Sequence, residues 1–169
     1  MDTIQKQHEL AIGDAFITQF NQQQGTQYVF HRRGNKAPDL VYRHGDLKLQ
    51  LEIVTCYYDT NDAKTKWQIA RNLPNAPTGW SGVDFDQALV ANINAKIHDK
   101  CAKDYGPNCM LIVYISPNLT TFKEMEALLP RIEIPSKHGF AGIYLVGNFG
   151  ISSESTVSYA IRTLTPVSG

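Results

Sequence analysis

The chain lacks a surplus of either charge: sixteen Lys and Arg balance sixteen Asp and Glu. No global field draws it onto nucleic acid or an acidic membrane surface, so a site for a polyanion has to be a local patch. Cysteine is scarce as well. Cys56, Cys101 and Cys109 are odd in number and show no CxxC spacing, which argues against a disulfide framework and for a reducing compartment. No apolar run approaches the ~20 residues that span a bilayer, and the opening residues MDTIQKQHEL lack the apolar core of a signal peptide. The expectation is a cytoplasmic protein with no membrane partner. His8, His31, His44, His98 and His138 have no HxxH or HExxH spacing and hence suggest no zinc site. Gly79-Trp80-Ser81-Gly82 lacks the lysine of a phosphate loop, Gly142 to Gly150 lacks dinucleotide-binding spacing, and there is no nucleophile elbow.

What is present reads as a globular chain. At 169 residues, with 43% hydrophobic and 19% charged residues, one domain over 1–169 is expected, burying ~70% of the surface that the unfolded chain exposes. Ile12, Phe16 and Phe20 recur at helical spacing within a first helix from about Ile4 to Gln23. Three strands follow, Gln27 to Arg33, Pro38 to Arg43 and Leu47 to Tyr58, the last two forming a hairpin through Arg43-His44-Gly45-Asp46. Asp59 to Asp86 is polar and broken, with room for a short helix on Ala63, Trp67 and Ala70. A second long helix, about Asp86 to Tyr105, carries Leu89, Ile93, Ile97 and Cys101 on one stripe and stops at Gly106-Pro107. The chain closes with a buried strand from Cys109 to Ser116, a short helix around Thr121 to Leu129, a strand from Ala141 to Gly147 and an edge strand from Val157 to Leu164. This order predicts an α/β (or α+β) fold with a mixed central sheet flanked by helices.

The hairpin sets up a chemical pattern. Alternation puts Leu47, Leu49, Leu51 and Ile53 on one face of the third strand, and Lys48, Gln50 and Glu52 on the other. If Arg43 pairs with Asp46 around His44-Gly45, Leu40 faces Leu49, Tyr42 faces Leu47 and Asp39 faces Gln50. Glu52 is then diagonal to Asp39, roughly 7–8 Å away on the same face, within reach of one shared cation.

Glu9 on a helix, Pro38-Asp39 on one strand, Glu52-Ile53-Val54 on the next, and a helix bearing Lys96 and Lys100 ahead of an apolar strand together resemble the PD-(D/E)xK nuclease superfamily. The resemblance covers roughly Ile4 to Ser116 and implies a restriction-endonuclease-like αβββαβ core. It further implies Mg²⁺ (or Mn²⁺) held by Asp39, Glu52 and the Ile53 carbonyl, with Glu9 as the additional first-helix carboxylate, and hydrolysis of DNA phosphodiester bonds. One position departs from the pattern: where the motif has lysine, this sequence has Val54, which cannot polarise water or balance phosphate charge. Asn92, Lys96 and Lys100 recur at i, i+4 spacing beside the Ile93/Ile97 stripe, so Lys96 first and Lys100 second are the candidates to replace it, with Lys48, roughly 13 Å along the strand from Glu52, third.

Each residue also has a purely structural reading. Asp39 can accept a hydrogen bond from the backbone two residues on in a strand-opening turn. Glu52, desolvated between Leu51 and Ile53, can pair with Arg43 or Lys96, and Lys96, Lys100 and Lys103 can be a solvated helix end. The densest basic stretch, with Arg32, Arg33, Lys36 and Arg43, is the expected DNA-contacting patch; Lys64, Lys66, Trp67, Arg71 and Trp80 of the long connection would extend it. Two functions compete: a metal-dependent nuclease, and a catalytically inactive module of the same fold that binds protein or nucleic acid.

Overall fold

A computed structural model describes residues 3–56, 82–115, 122–148 and 159–165. The expected short helix at Ala63–Ala70 and the basic and aromatic residues of the long connection lie outside the described residues. The elements are α1 (Thr3–Gln24), β1 (Val29–Arg33), β2 (Leu40–His44), β3 (Leu47–Cys56), α2 (Gly82–Cys101), β4 (Cys109–Ile115), α3 (Phe122–Leu128) running into a 3₁₀ turn (Leu129–Arg131), β5 (Gly142–Asn148) and β6 (Tyr159–Thr165). α2 thus starts and ends a turn earlier than its apolar stripe predicts, and Pro38-Asp39 precedes β2 rather than belonging to it.

The strands form one six-stranded sheet in sequence order. β1/β2, β2/β3 and β5/β6 are antiparallel, while β3/β4 and β4/β5 are parallel. The two parallel joins are made through helices, as parallel strands require crossovers. β4 is buried along its whole length, and its unbroken apolar sequence, CMLIVYI, is that of a central strand covered on both faces.

Two apolar layers sandwich the sheet. On one face Ile12, Phe16 and Ile17 of α1 pack on Leu40, Tyr42, Leu49, Leu51 and Ile53. On the other, Leu89, Ile93 and Ile97 of α2 pack on Cys56, Leu111, Val113 and Leu145, joined by Met125 and Leu128 of α3. The i, i+4 stripe of α2 and the alternation along β3 therefore meet as their periods dictate. Asn21 fixes the turn from α1 into β1: its Oδ1 accepts from the Tyr28 N–H at 2.9 Å and the Thr26 hydroxyl at 2.8 Å, and its Nδ2 donates to the Tyr28 carbonyl at 2.9 Å. Among the described residues no helix is long and apolar enough to cross a membrane.

The hairpin register differs from the expected one. The closing pair is His44 with Leu47 around Gly45-Asp46, so Leu40 stands across from Leu51, Tyr42 from Leu49 and Arg43 from Lys48. Gly45 sits at φ 60°, which a two-residue hairpin loop with glycine first favours; the turn chemistry moves the pairing by two residues. A shift of two keeps every side chain on its face.

A second close turn positions Asp39. The Gly34 N–H donates to the Asp39 carbonyl at 3.0 Å, and a Cβ on Gly34 would lie 1.7 Å from the Pro38 carbonyl oxygen. Gly45→Ala, which meets nothing within 4 Å, should lose about 1–2 kcal/mol from the left-handed backbone alone. Gly34→Ala has to displace backbone and should lose about 3 kcal/mol. Urea unfolding midpoints should therefore fall in the order wild type, Gly45→Ala, Gly34→Ala.

Candidate active site

The site arises because β3 outlasts β2. Pairing between them ends at Leu40–Leu51, whereas β3 continues to Cys56 alongside β4. Beyond Leu51 the open edge of β3 has no strand partner from β2. The Ile53 N–H on that edge donates instead to the Asp39 carboxylate, Oδ2, at 2.8 Å. In an extended strand the N–H and C=O of one residue project from the same edge, so the Ile53 carbonyl opens on the same side. Asp39 thus binds fourteen residues along the chain, not two residues on as in a local turn.

Asp39, just before the last β2–β3 pair, lies close enough to Glu52 for their charges to act on each other. Glu52 is only 5% exposed. Its Oε1 accepts from Lys100 Nζ at 2.6 Å, while its Oε2 is buried with no hydrogen-bond partner among the described residues. The partner is therefore Lys100, not Arg43 or Lys96. Burial by itself would lower the Lys100 pKa, but the hydrogen bond and charge of Glu52 outweigh it and hold the ammonium above its ordinary range. Lys100 Nζ also lies 5.7 Å from the centre of the Tyr105 ring.

Asp39 carries the electrostatic signature of the cluster. Burial, opposed by the Ile53 hydrogen bond and reinforced by the charges of Glu52 and Glu9, raises its pKa to about 6. Glu9 reaches the cluster as a charge but is itself engaged, by Arg33 Nη1 at 3.2 Å and Gln5 Nε2 at 3.2 Å. Lys96, one turn before Lys100, lines a cavity of about 560 Å³ together with Ile4, Gln5, His8 and Glu9 of α1 and Ile53, Val54 and Thr55 of β3. Val54 itself is half-buried against the α2 layer, and Asn92 is half-buried on the same helix.

The basic residues divide. Arg33 turns toward α1 and Glu9, while Arg32, Lys36, Arg43 and Lys48 are exposed. His8 and Tyr105 stand beside the site without an expected role in it. His8 precedes Ile12 and Phe16 by four and eight residues, a spacing that already placed it on the buried side of α1; its ring meets Tyr114 edge-on at 5.1 Å. Tyr105 has no such signal, since it lies beyond the end of α2.

Among the described residues no three of His, Cys, Asp and Glu converge as a complete metal cage. Two carboxylates and a carbonyl nevertheless suit Mg²⁺, which keeps several waters and takes one or two carboxylates plus substrate phosphate. The orphaned, buried Glu52 Oε2 and the destabilised charge on Asp39 are what a shared cation would satisfy. No protein-family model, no curated protein and no solved structure matches this chain.

The raised Asp39 pKa has a defined consequence for stability. The unfolded group titrates near its ordinary value of 3.8 and the folded one near 6. Between the two the folded state binds more protons, so this group's contribution to stability falls as pH rises through that window and stays lost above it. With chelator present, Asp39→Asn keeps an oxygen for the Ile53 N–H and removes the charge. It should stabilise the protein by on the order of 1–2 kcal/mol at pH 7, after allowance for partial solvent screening, and by little below pH ~4. Thermal melts of both proteins across this range check the crossover.

Proposed function

We propose that this chain is a divalent-metal-dependent phosphodiesterase acting on DNA, with a restriction-endonuclease-like core in which the usual strand lysine has migrated to a helix. One observation carries the reading: the Lys100 ammonium sits on one oxygen of Glu52 at 2.6 Å, while the other oxygen is buried and has no partner among the described residues. The order of helix, three antiparallel strands, helix and parallel strand supports it.

Asp39, Glu52 and the Ile53 carbonyl would hold Mg²⁺ or Mn²⁺. Such a cation, when bound, lowers the pKa of a water and offsets charge on a phosphate. The protein's own groups do the rest. Lys100 supplies the positive charge that Val54 cannot, and Glu52 orients its ammonium. Lys96 offers a second cation to a phosphate in the adjoining cavity. Arg33 holds Glu9 by an ion pair at 3.2 Å.

Cleavage of labelled single- and double-stranded DNA with Mg²⁺ or Mn²⁺ tests the proposal. Activity should be present in wild type and lost in Glu52→Gln and Asp39→Asn. It should fall about a hundredfold or more in Lys100→Met, the scale for removing one charge-stabilising donor, and by less in Lys96→Met. Full activity in Lys100→Met would refute the migrated lysine. Mn²⁺ should also raise the melting temperature of wild type but not of Asp39→Asn, because only a ligand bound to the folded state stabilises it. Neither cleavage nor a metal-induced shift in wild type would favour the inactive binding module.

A further inference from the structure

The sheet face that carries Glu52 continues past the end of α2 as a basic strip, and a bulge decides its membership. Arg43 and Lys48 stand directly across from each other on β2 and β3, and Val29 of β1 pairs with Arg43. All three are exposed. Between Phe30 and Arg32 the β1–β2 register shifts, so that Arg32 pairs with Val41 and Arg33 with Leu40. A bulge adds one residue to one strand and so exchanges the faces of all that follow it. Without it Arg33 would join Arg43; with it Arg32 does, and Arg33 is delivered to Glu9 on the opposite face.

Arg32, Arg43 and Lys48 therefore share the face of Glu52, with Asp39 at the adjoining edge. None of them belongs to an ion pair among the described residues. Arg32 spends one donor on the Arg33 carbonyl at 3.0 Å. Val41 and Gln50 lie between the cations and the site, both buried and neutral. Asp46, in the hairpin loop, is the acidic residue at the far end. Lys48 is four residues from Glu52 on one strand, roughly 13 Å. In a chain with no net charge, a run of unpaired cations ending at a carboxylate–lysine cluster is a local attractor for an extended anion.

We infer that Arg32, Arg43 and Lys48 form a track for the phosphodiester backbone of a nucleic-acid strand, leading it across β1–β2–β3 into the Asp39–Glu52–Lys100 cluster. The choice of nucleic acid as occupant rests on the proposed function; the site itself does not require catalysis. Among the described residues, the side chains that the register places on this strip are guanidinium, ammonium and the aliphatic Val29, which suit contact to phosphates rather than to bases.

The test measures binding without turnover. Fluorescence anisotropy of a labelled mixed-sequence oligonucleotide of about 20 nucleotides, single-stranded and duplex, is recorded in EDTA over a range of salt concentrations. Three phosphate contacts imply a log affinity against log salt slope near −2.7 for duplex. The double variant Arg43→Gln/Lys48→Gln should bind at least tenfold more weakly, with the slope reduced by about two. Arg32→Gln alone should reduce it by about one. Lys137→Gln, an exposed lysine outside the strip, should change neither. No binding by wild type at low salt, or unchanged affinity and slope in the double variant, overturns the track; so does a loss in Lys137→Gln as large as that in the double variant. Single Arg43→Gln and Lys48→Gln variants serve if the double variant's melting temperature shows that it fails to fold. Salt-dependent binding without cleavage in Mg²⁺ would sustain the track and defeat the nuclease; cleavage with binding indifferent to Arg43 and Lys48 would do the reverse.

Discussion

A carboxylate buried in the middle of a sheet is the constraint around which this structure is organised. Glu52 lies between Leu51 and Ile53 on a strand that pairs with β2 as far as Leu51 and with β4 from Gln50 onward, and at 5% exposure an unpaired charge there costs several kcal/mol. Lys100 answers it from α2 at 2.6 Å, the helix being docked on the sheet by the fully buried stripe of Leu89, Ile93 and Ile97. Satisfying only half of the carboxylate leaves one oxygen open. Such an arrangement is poor for stability and well suited to holding a cation.

The unequal lengths of β2 and β3 produce the rest of the site. Where β2 stops, the chain of Pro38-Asp39 bends away, pinned by Gly34, and the aspartate replaces the missing strand at Ile53. The same termination opens the cavity between β3 and the beginning of α1. One structural event thus supplies a carboxyl group whose pKa is raised to about 6, an outward carbonyl and room beside them. Cys56 and Cys109, both with thiols pushed up to about 12 by burial, line the interior as small apolar residues and take no part in this chemistry.

Charge is distributed with similar economy. Arg33 and Lys100 each neutralise one carboxylate from opposite faces of the sheet, so the cluster of Glu9, Asp39 and Glu52 is partly compensated from within. The remaining cations of β1, β2 and β3 stay exposed on the face leading to it. A chain with no net charge can in this way present a strongly polarised surface.

Much of the architecture is legible in the sequence, because helix and strand periodicities are local. The 3.6-residue stripe of α2, the two-residue alternation of β3 and the apolar run of β4 each identify an element and its buried side without reference to anything distant. They also place Glu52 on the face opposite Leu49, Leu51 and Ile53. Three features are not local. The hairpin register slipped by two residues relative to expectation, and an even slip preserves every face, so the side-chain pattern cannot detect it; the loop closing at Gly45-Asp46 decides it. The bulge after Phe30 exchanges Arg32 and Arg33 between faces, and an inserted residue leaves no mark on composition or spacing. Lys96 and Lys100 lie on the same side of one helix, one turn apart, so periodicity treats them alike. Only the height at which α2 docks against β3 places Lys100 on Glu52 and Lys96 in the neighbouring cavity, because an ion pair depends on distance in space and the sequence specifies only separation along the chain.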